Sequence, residues 1–268
     1  MAELDGMVAL VAGGTSGIGH ATAGLLLSRG ASVALCGVED GQVQAVGQRF
    51  RAEYGAAAVL ATTVDVTRED EVRRWIGQAA GFFGALDAVV TAVGIQTYGS
   101  VAGSESVEFE RTMDVNVKGA YLVIKHAVPE LRRRGGGAVV AVSSVQAFAS
   151  QDGVAAYSAS KGALNALVRS VAVDEAAHGI RANAVCPASV DTPMLRASAR
   201  RFGDGTDAGE QQLLDQWGAM HPLGRIARPQ EVAEVIAFLA GERASFVTGV
   251  SLPVDGGLLC RLAVALPG

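Results

Sequence analysis

Short, nearly continuous runs of Val, Ala and Leu stand at residues 7–12, 32–36, 59–64, 88–92, 138–142 and 181–185, and longer stretches of helical period fill the gaps between them. Such runs predict strands buried on both faces, because a strand with one wet face would alternate polar and apolar side chains. Strand and helix in strict alternation are successive βαβ units, so the expected class is α/β with a doubly wound parallel sheet. A seventh run, Ser251–Val254, contains Pro253, which has no N–H for a ladder and so belongs at a sheet edge. Helix starts are expected with Thr67 as N-cap before an acidic first turn and at Pro229 after Arg228, and Arg132, Arg133 and Arg134 before Gly135 close a helix C-terminus ahead of a solvated turn. No linker divides the chain, which predicts one domain over 1–268. The polar, Gly-bearing interruption at 193–222 has the length of a substrate lid, placed at about 193–221.

The charge balance narrows the partners. Lys+Arg 22 against Asp+Glu 27 gives a net charge of −5, and no face-sized excess of cations is visible, which argues against nucleic acid. Glu3 and Asp5 stand where a signal peptide would carry basic residues, and no run reaches the roughly 18 apolar residues of a membrane span, so a cytoplasmic protein with no membrane partner is expected. Cys36, Cys186 and Cys260 are far apart and read as core residues, while His20, His126, His178 and His221 show no ligand spacing, so no metal is expected.

Chemistry concentrates at two places. The first strand runs into Gly13-Gly14-Thr15-Ser16-Gly17-Ile18-Gly19 and then a helix, where glycines let backbone approach a pyrophosphate and free N–H groups favour negative charge. A P-loop does not fit, because His20-Ala21 stands where Lys-Ser/Thr is needed. Further on, Lys161 follows Tyr157 by one helical turn, which sets an ammonium beside a phenol. Tyrosine ionises near ~10, and half-ionisation near neutral pH takes ~3 units, roughly 4 kcal/mol, much of which an adjacent cation could supply. Ser158-Ala159-Ser160-Lys161 also has the S-x-x-K form of an acyl enzyme, but S-D-N, K-T-G and G-x-S-x-G are all missing.

With the glycine turn G-x-x-x-G-x-G, Ser144 and Y-x-x-x-K in this order, nearly the whole chain resembles the short-chain dehydrogenase/reductase family. Asp65-Val66, Asn116 in Val115-Asn116-Val117-Lys118-Gly119, Pro187, Thr192 and Val254-Asp255-Gly256-Gly257 extend the likeness. The resemblance implies a single Rossmann domain with a seven-stranded sheet in the order 3-2-1-4-5-6-7. It also implies an NAD(P)-dependent enzyme moving hydride between nicotinamide and a secondary alcohol or carbonyl of a sugar, polyol, steroid or ketone. In it Tyr157 would exchange a proton with the substrate oxygen, Ser144 would hydrogen-bond that oxygen, Lys161 would hold the ribose and Asn116 would fix a relay water. The dinucleotide would lie on Gly13, Thr15, Ser16, Gly17, Ile18 and Gly19, with Gly37, Asp65, Val66, Ala92 and Gly94 toward the adenosine and Val190 and Thr192 at the carboxamide. Family members are often tetramers, so a homotetramer, or a homodimer, is implied.

Three departures stand out: Ala12 for the usual Thr, Pro187-Ala188 for Pro-Gly, and Thr91-Ala92-Val93-Gly94 for Asn-Asn-Ala-Gly, where Thr91 could restore one lost hydrogen bond. Gly37-Val38-Glu39 and the lack of a cation at Ser16 or Val38 lean toward NAD rather than NADP. The substrate pocket is expected among residues 95–98, 145–151 and the interruption, with Met194, Leu195, Phe202, Leu214, Trp217 and Met220 as apolar lining. Gln96, Gln146, Gln151 and His221 are either polar contacts for it or solvated loop residues. Arg196, Arg200 and Arg201 form a solvated helix face or attract an anion. Two alternatives remain: a dinucleotide-sensing scaffold without turnover and a 3-oxoacyl thioester reductase. The tail from Leu258 carries no clear signal.

Overall fold

The computed structural model describes residues 3–262. Its strands are β1 (Val8–Ala12), β2 (Ser32–Gly37), β3 (Val59–Thr63), β4 (Ala88–Thr91), β5 (Gly137–Val142), β6 (Ile180–Pro187) and β7 (Ser251–Val254). They form one parallel sheet in the order β3-β2-β1-β4-β5-β6-β7. The helices are α1 (Gly17–Ser28), α2 (Asp40–Tyr54), α3 (Glu69–Phe83), α4 (Ser106–Met113), α5 (Gly119–Arg134), α6 (Ala155–Glu175), α7 (Pro193–Phe202), α8 (Asp207–Met220) and α9 (Pro229–Ala240).

Successive residues of a strand face opposite sides, and the sheet has a core on each. Leu10, Ala34, Val89 and Val139 pack with Trp75 of α3, Val123 and Leu131 of α5 and Val168 of α6. Ala9, Val11, Val33, Val90 and Val140 pack with Leu26 of α1 and Val232 and Ile236 of α9. This is why the strands lack polar alternation. β7 is the edge strand, and Pro253 sits opposite Cys186 of β6.

The Arg132–Arg134 cluster ends α5, with Gly135 in the left-handed conformation after it. Arg132 clamps Glu175 at the end of α6 through two hydrogen bonds of 2.7 and 2.6 Å, and Arg134 reaches Asp87. The turn beyond is not simply solvated, since a Cβ at Gly136 would lie 2.8 Å from the Gly179 carbonyl oxygen.

Several local expectations are revised. Arg68, not Thr67, stands at the N-cap position of α3, without a side-chain cap hydrogen bond, and the Thr67 hydroxyl and N–H both donate to Asp65. Cys36 and Cys186 are buried, but Cys260 is exposed in a short turn at 258–260. The interruption is two packed helices, α7 and α8, rather than irregular chain. Arg196 and Arg200 of α7 both bind the buried carboxylate of Glu210 on α8, and Arg196 also grips Asp191. Residues 263–268 of the tail lie outside the described residues.

Candidate active site

A parallel sheet points every strand's C-terminal end the same way, and helices starting there aim unpaired N–H groups into the crevice between them. In this chain a cavity of about 820 Å³ crosses the C-terminal ends of the strands. At β1 the chain turns through Gly13, whose φ of 80° suits glycine and whose added Cβ would stand 2.9 Å from the Ala92 carbonyl. A Cβ at Gly19 would overlap the Gly13 carbonyl oxygen, so Gly19 packs behind the turn and does not line the cavity. Ser16 caps α1 without a side-chain hydrogen bond, which leaves the first-turn N–H groups facing the cavity beside Gly17 and Ile18. A turn with no side-chain bulk and an uncapped positive helix end fits a pyrophosphate.

Thr15, Gly37, Asp65, Val66, Ala92, Gly94, Val190 and Thr192 also line this cavity. Asp65 is held in place, since its carboxylate accepts from Thr67 and its N–H donates to Glu71. Thr91 does not restore the missing asparagine bond: its hydroxyl is buried with no partner among the described residues.

The polar cluster stands at the other end. Tyr157 and Lys161 occupy the first two turns of α6 and line the cavity with Ser144, which follows β5. Lys161 Nζ lies 5.5 Å from the Tyr157 ring centre and donates to the Val142 carbonyl at 3.0 Å. Burial pushes the phenol up to about 12, with the Ser144 hydroxyl opposing and Tyr98 adding to that shift. Burial likewise brings the Lys161 ammonium down to about 8. The expected acidification of the phenol is therefore outweighed by desolvation, which penalises the charged form of each group. Both Ser143 and Ser144 line the cavity; the Ser143 hydroxyl donates to the Lys161 carbonyl at 3.1 Å, while Ser144 Oγ accepts from the Gln146 N–H at 3.2 Å.

Asn116 lies outside the cavity lining and is fully buried behind it, in a π-helical turn (Asp114–Lys118) between α4 and α5. Single wide turns of this kind often mark functional sites. The Asn116 amide accepts from the Ile95 N–H at 2.8 Å and donates to the Ile95 carbonyl and to Ser160 Oγ, both at 3.0 Å. Gly94 stands between the two groups: a Cβ there would lie 3.5 Å, ordinary contact distance, from both Asn116 Oδ1 and Lys161 Nζ.

Of the expected substrate contacts, Gln96, Gln146, Gln151, Met194 and Leu195 line the cavity, whereas Trp217, Phe202, Leu214, Met220 and His221 do not. Phe202 instead packs edge-to-face on Tyr98, whose hydroxyl is bonded to Ser198 of α7. Sequence reasoning missed Ser160 and the Ile95 backbone. Ser160, three residues after Tyr157, could have been found from helical spacing. The α4 residues Val107, Glu110 and Arg111 also reach the lining, and an exposed polar helix gives no signal of that.

The sheet order, the uncapped glycine turn and the Ser-Tyr-Lys cluster at one cavity define a nicotinamide-dependent oxidoreductase. More narrowly, the chain belongs to the short-chain dehydrogenase/reductase family, and the family model described as enoyl-(acyl carrier protein) reductase matches residues 12–259. It is similar to cis-4-hydroxycyclohexanecarboxylate dehydrogenase of Sinomonas cyclohexanicum, 41% identical over 251 residues that cover 93% of this chain and 95% of that one. It also resembles 2,5-dichloro-2,5-cyclohexadiene-1,4-diol dehydrogenase of Sphingobium indicum, 36% identical over 259 residues that cover 96% of this chain and 98% of the relative. Among solved structures, ligand-free aldohexose dehydrogenase of Thermoplasma acidophilum superposes with a TM-score of 0.90 at 35% identity, covering 100% of this chain and 99% of that one. Dehydrogenases of this family use NAD or NADP and act on CH–OH groups, and the chain is an enzyme of that kind.

Proposed function

We propose that the chain interconverts a secondary alcohol on an alicyclic ring and the corresponding ketone, with NAD as preferred dinucleotide. The observation that carries this reading is the shared cavity: Tyr157, Lys161 and Ser144 open onto the same space as the glycine turn. The ring is suggested by the two curated relatives above, each named for a six-membered ring alcohol.

The nicotinamide, when bound, supplies or accepts the hydride. In this reading Tyr157 is the general acid/base for the substrate oxygen. Its high pKa keeps it protonated at neutral pH, which suits donation to the oxygen during reduction. Oxidation needs the phenolate, and the Lys161 ammonium favours it. Ser144 Oγ donates to the same oxygen and stabilises its developing charge. Lys161 holds the ribose, and Asn116 fixes a water on the path that returns protons to Lys161. The dinucleotide rests on Gly13, Thr15, Ser16, Gly17 and Ile18, with Gly19 closing the turn from behind. Gly37, Asp65, Val66, Ala92 and Gly94 hold the adenosine, and Val190 and Thr192 the carboxamide. Gln96, Gln146, Gln151 and Met194 meet the substrate under a lid formed by α7 and α8, and Trp217 supports that lid without touching the cavity.

NAD is favoured because the β2 end of the cavity presents Gly37 and Val38 and no Lys or Arg to receive a 2′-phosphate. No helix of the described residues is long and apolar enough to cross a membrane. A homotetramer is the assembly proposed, consistent with the exposed Phe109, Tyr121, Val173 and Phe246. The test is a panel of ring and open-chain alcohols with NAD and with NADP, read by nicotinamide absorbance. The reading expects ring alcohols to be turned over and NAD to bind about tenfold or more tighter than NADP, since an unpaired phosphate meets no cation. Turnover of open-chain alcohols alone, or tighter binding of NADP, would contradict it.

A further inference from the structure

The loop between β5 and α6 holds two glutamines whose hydrogen bonds determine which way each amide faces. Gln146 Oε1 accepts from the backbone N–H of Gln151 at 3.0 Å and from Ser158 Oγ at 3.2 Å. A backbone N–H can only donate, so the atom it meets is the Gln146 oxygen. The Gln146 nitrogen then donates to Gln151 Oε1 at 2.8 Å, which fixes the second amide in turn. The unused hydrogens are one N–H of Gln146 and both of Gln151. Both residues line the cavity with Ser144 and Tyr157, so the pair offers donors to whatever lies there.

Ile95, Gln96, Val145, Met194, Leu195 and Leu258, which line the same cavity, are uncharged. Of the arginines of α7 that might have served an anion, Arg196 is paired with Asp191 and Glu210 and Arg200 with Glu210, while Arg201 lies over the rings of Tyr98 and Phe202 and is not among the cavity-lining residues. Two cations line the whole cavity among the described residues, Lys161 and Arg111. Lys161 is buried against the Val142 carbonyl, and Arg111 is accompanied in the lining by the carboxylates of Glu110 and Asp114. Gln146 is half-buried and Gln151 exposed, so a carboxylate placed there would meet amide donors but no countercharge, whereas an uncharged oxygen accepts the same N–H at a smaller desolvation cost.

Resting on the ring-alcohol reading above, we infer that the Gln146–Gln151 pair recognises a second, uncharged acceptor oxygen on the substrate. The preferred class is a neutral ring diol, hydroxyketone or diketone, and ring hydroxy acids are selected against.

The test compares kcat/KM for cyclohexanol, cis-cyclohexane-1,4-diol, cis-4-hydroxycyclohexanecarboxylate and the methyl ester of that acid, in the parent, Gln151→Leu and Gln151→Lys. The parent should favour the diol over cyclohexanol, and the ester over the acid, by about tenfold or more. Gln151→Leu should bring the diol toward cyclohexanol, chiefly through a higher KM. Gln151→Lys should raise the acid relative to the ester by about tenfold, a gain that loss of loop structure would not produce. The inference is overturned if the parent uses the acid as well as the ester, or if Gln151→Leu keeps the diol preference, while ring alcohols are still oxidised. Absence of turnover with every ring alcohol overturns the underlying reading together with it.

Discussion

Replacing Asn116 with Ala probes the residue that ties three parts of the site together. The side chain is 0% exposed and makes hydrogen bonds to the Ile95 N–H, the Ile95 carbonyl and Ser160 Oγ. Each such bond contributes about 1 kcal/mol net, and a buried group left without a partner costs about 1–3 kcal/mol, so the loss should be roughly 3 kcal/mol. That is a large share of the ~5–15 kcal/mol by which folded domains are stable. Asn116→Asp should fare no better, because a carboxylate keeps the acceptor for the Ile95 N–H but loses the donors to the Ile95 carbonyl and Ser160. Urea unfolding at one fixed protein concentration, without dinucleotide, measures the difference. The catalytic side of the same prediction is a fall in kcat, since Ser160, whose hydroxyl donates to the Tyr157 carbonyl at 2.7 Å, would lose its tie through Asn116 to the Ile95 backbone. An Asn116→Ala enzyme within about 0.5 kcal/mol of the parent, the range of surface substitutions, would refute the assignment of this amide as a brace.

Alcohol oxidation should rise with pH above neutrality and keep rising toward the phenol's raised value of about 12, because it needs the phenolate, while ketone reduction should not rise over that range. Lys161→Met should displace the oxidation limb to higher pH, and an oxidation rate that falls as pH rises would contradict the Tyr157 role. Gly19→Ala should abolish dinucleotide binding, measured by calorimetry, because its Cβ would collide with the Gly13 carbonyl and reshape the turn. Retained affinity would mean that the turn does not hold the phosphates. Glu231 receives hydrogen bonds from Arg225 and from the Arg228 N–H, and the first of these above all brings its carboxyl down to about 2. A lowered folded-state pKa stabilises the fold above the ordinary value and loses that contribution as pH falls toward 2. Glu231→Gln should therefore cost about 1 kcal/mol at neutral pH, with the gap from the parent closing in acid. A gap independent of pH would refute the role of this charge.

The parts of the molecule most legible from sequence were those where one force dominates. Strands buried on both faces strongly favour apolar residues, so β1, β4 and β5 can be read directly from composition even with Thr91 ending β4. The turn at Gly13 is legible because only glycine tolerates that backbone and that closeness to Ala92. Legibility ended where competing interactions decide. Thr67 could cap α3, but its hydroxyl and N–H turn back to the Asp65 carboxylate, and the helix starts one residue later than the pattern suggests, with Arg68 at the N-cap position. The polar residues of α7 and α8 resemble loop because their apolar contacts are few and their arginines pair across to Glu210, three-dimensional information no local pattern carries. Trp217 reads as pocket lining by character but sits on a face of α8 away from the cavity. Spacing placed Tyr157 beside Lys161 correctly, yet the direction of the pKa shift depended on desolvation, which only the packed structure reveals.

Tyr157→Phe removes the hydroxyl proposed to exchange the proton with the substrate oxygen and keeps the ring and its packing. With a ring alcohol and NAD, kcat should fall about a hundred- to ten-thousandfold, while dinucleotide affinity stays close to that of the parent. Turnover at the parental rate in the phenylalanine enzyme would contradict the account.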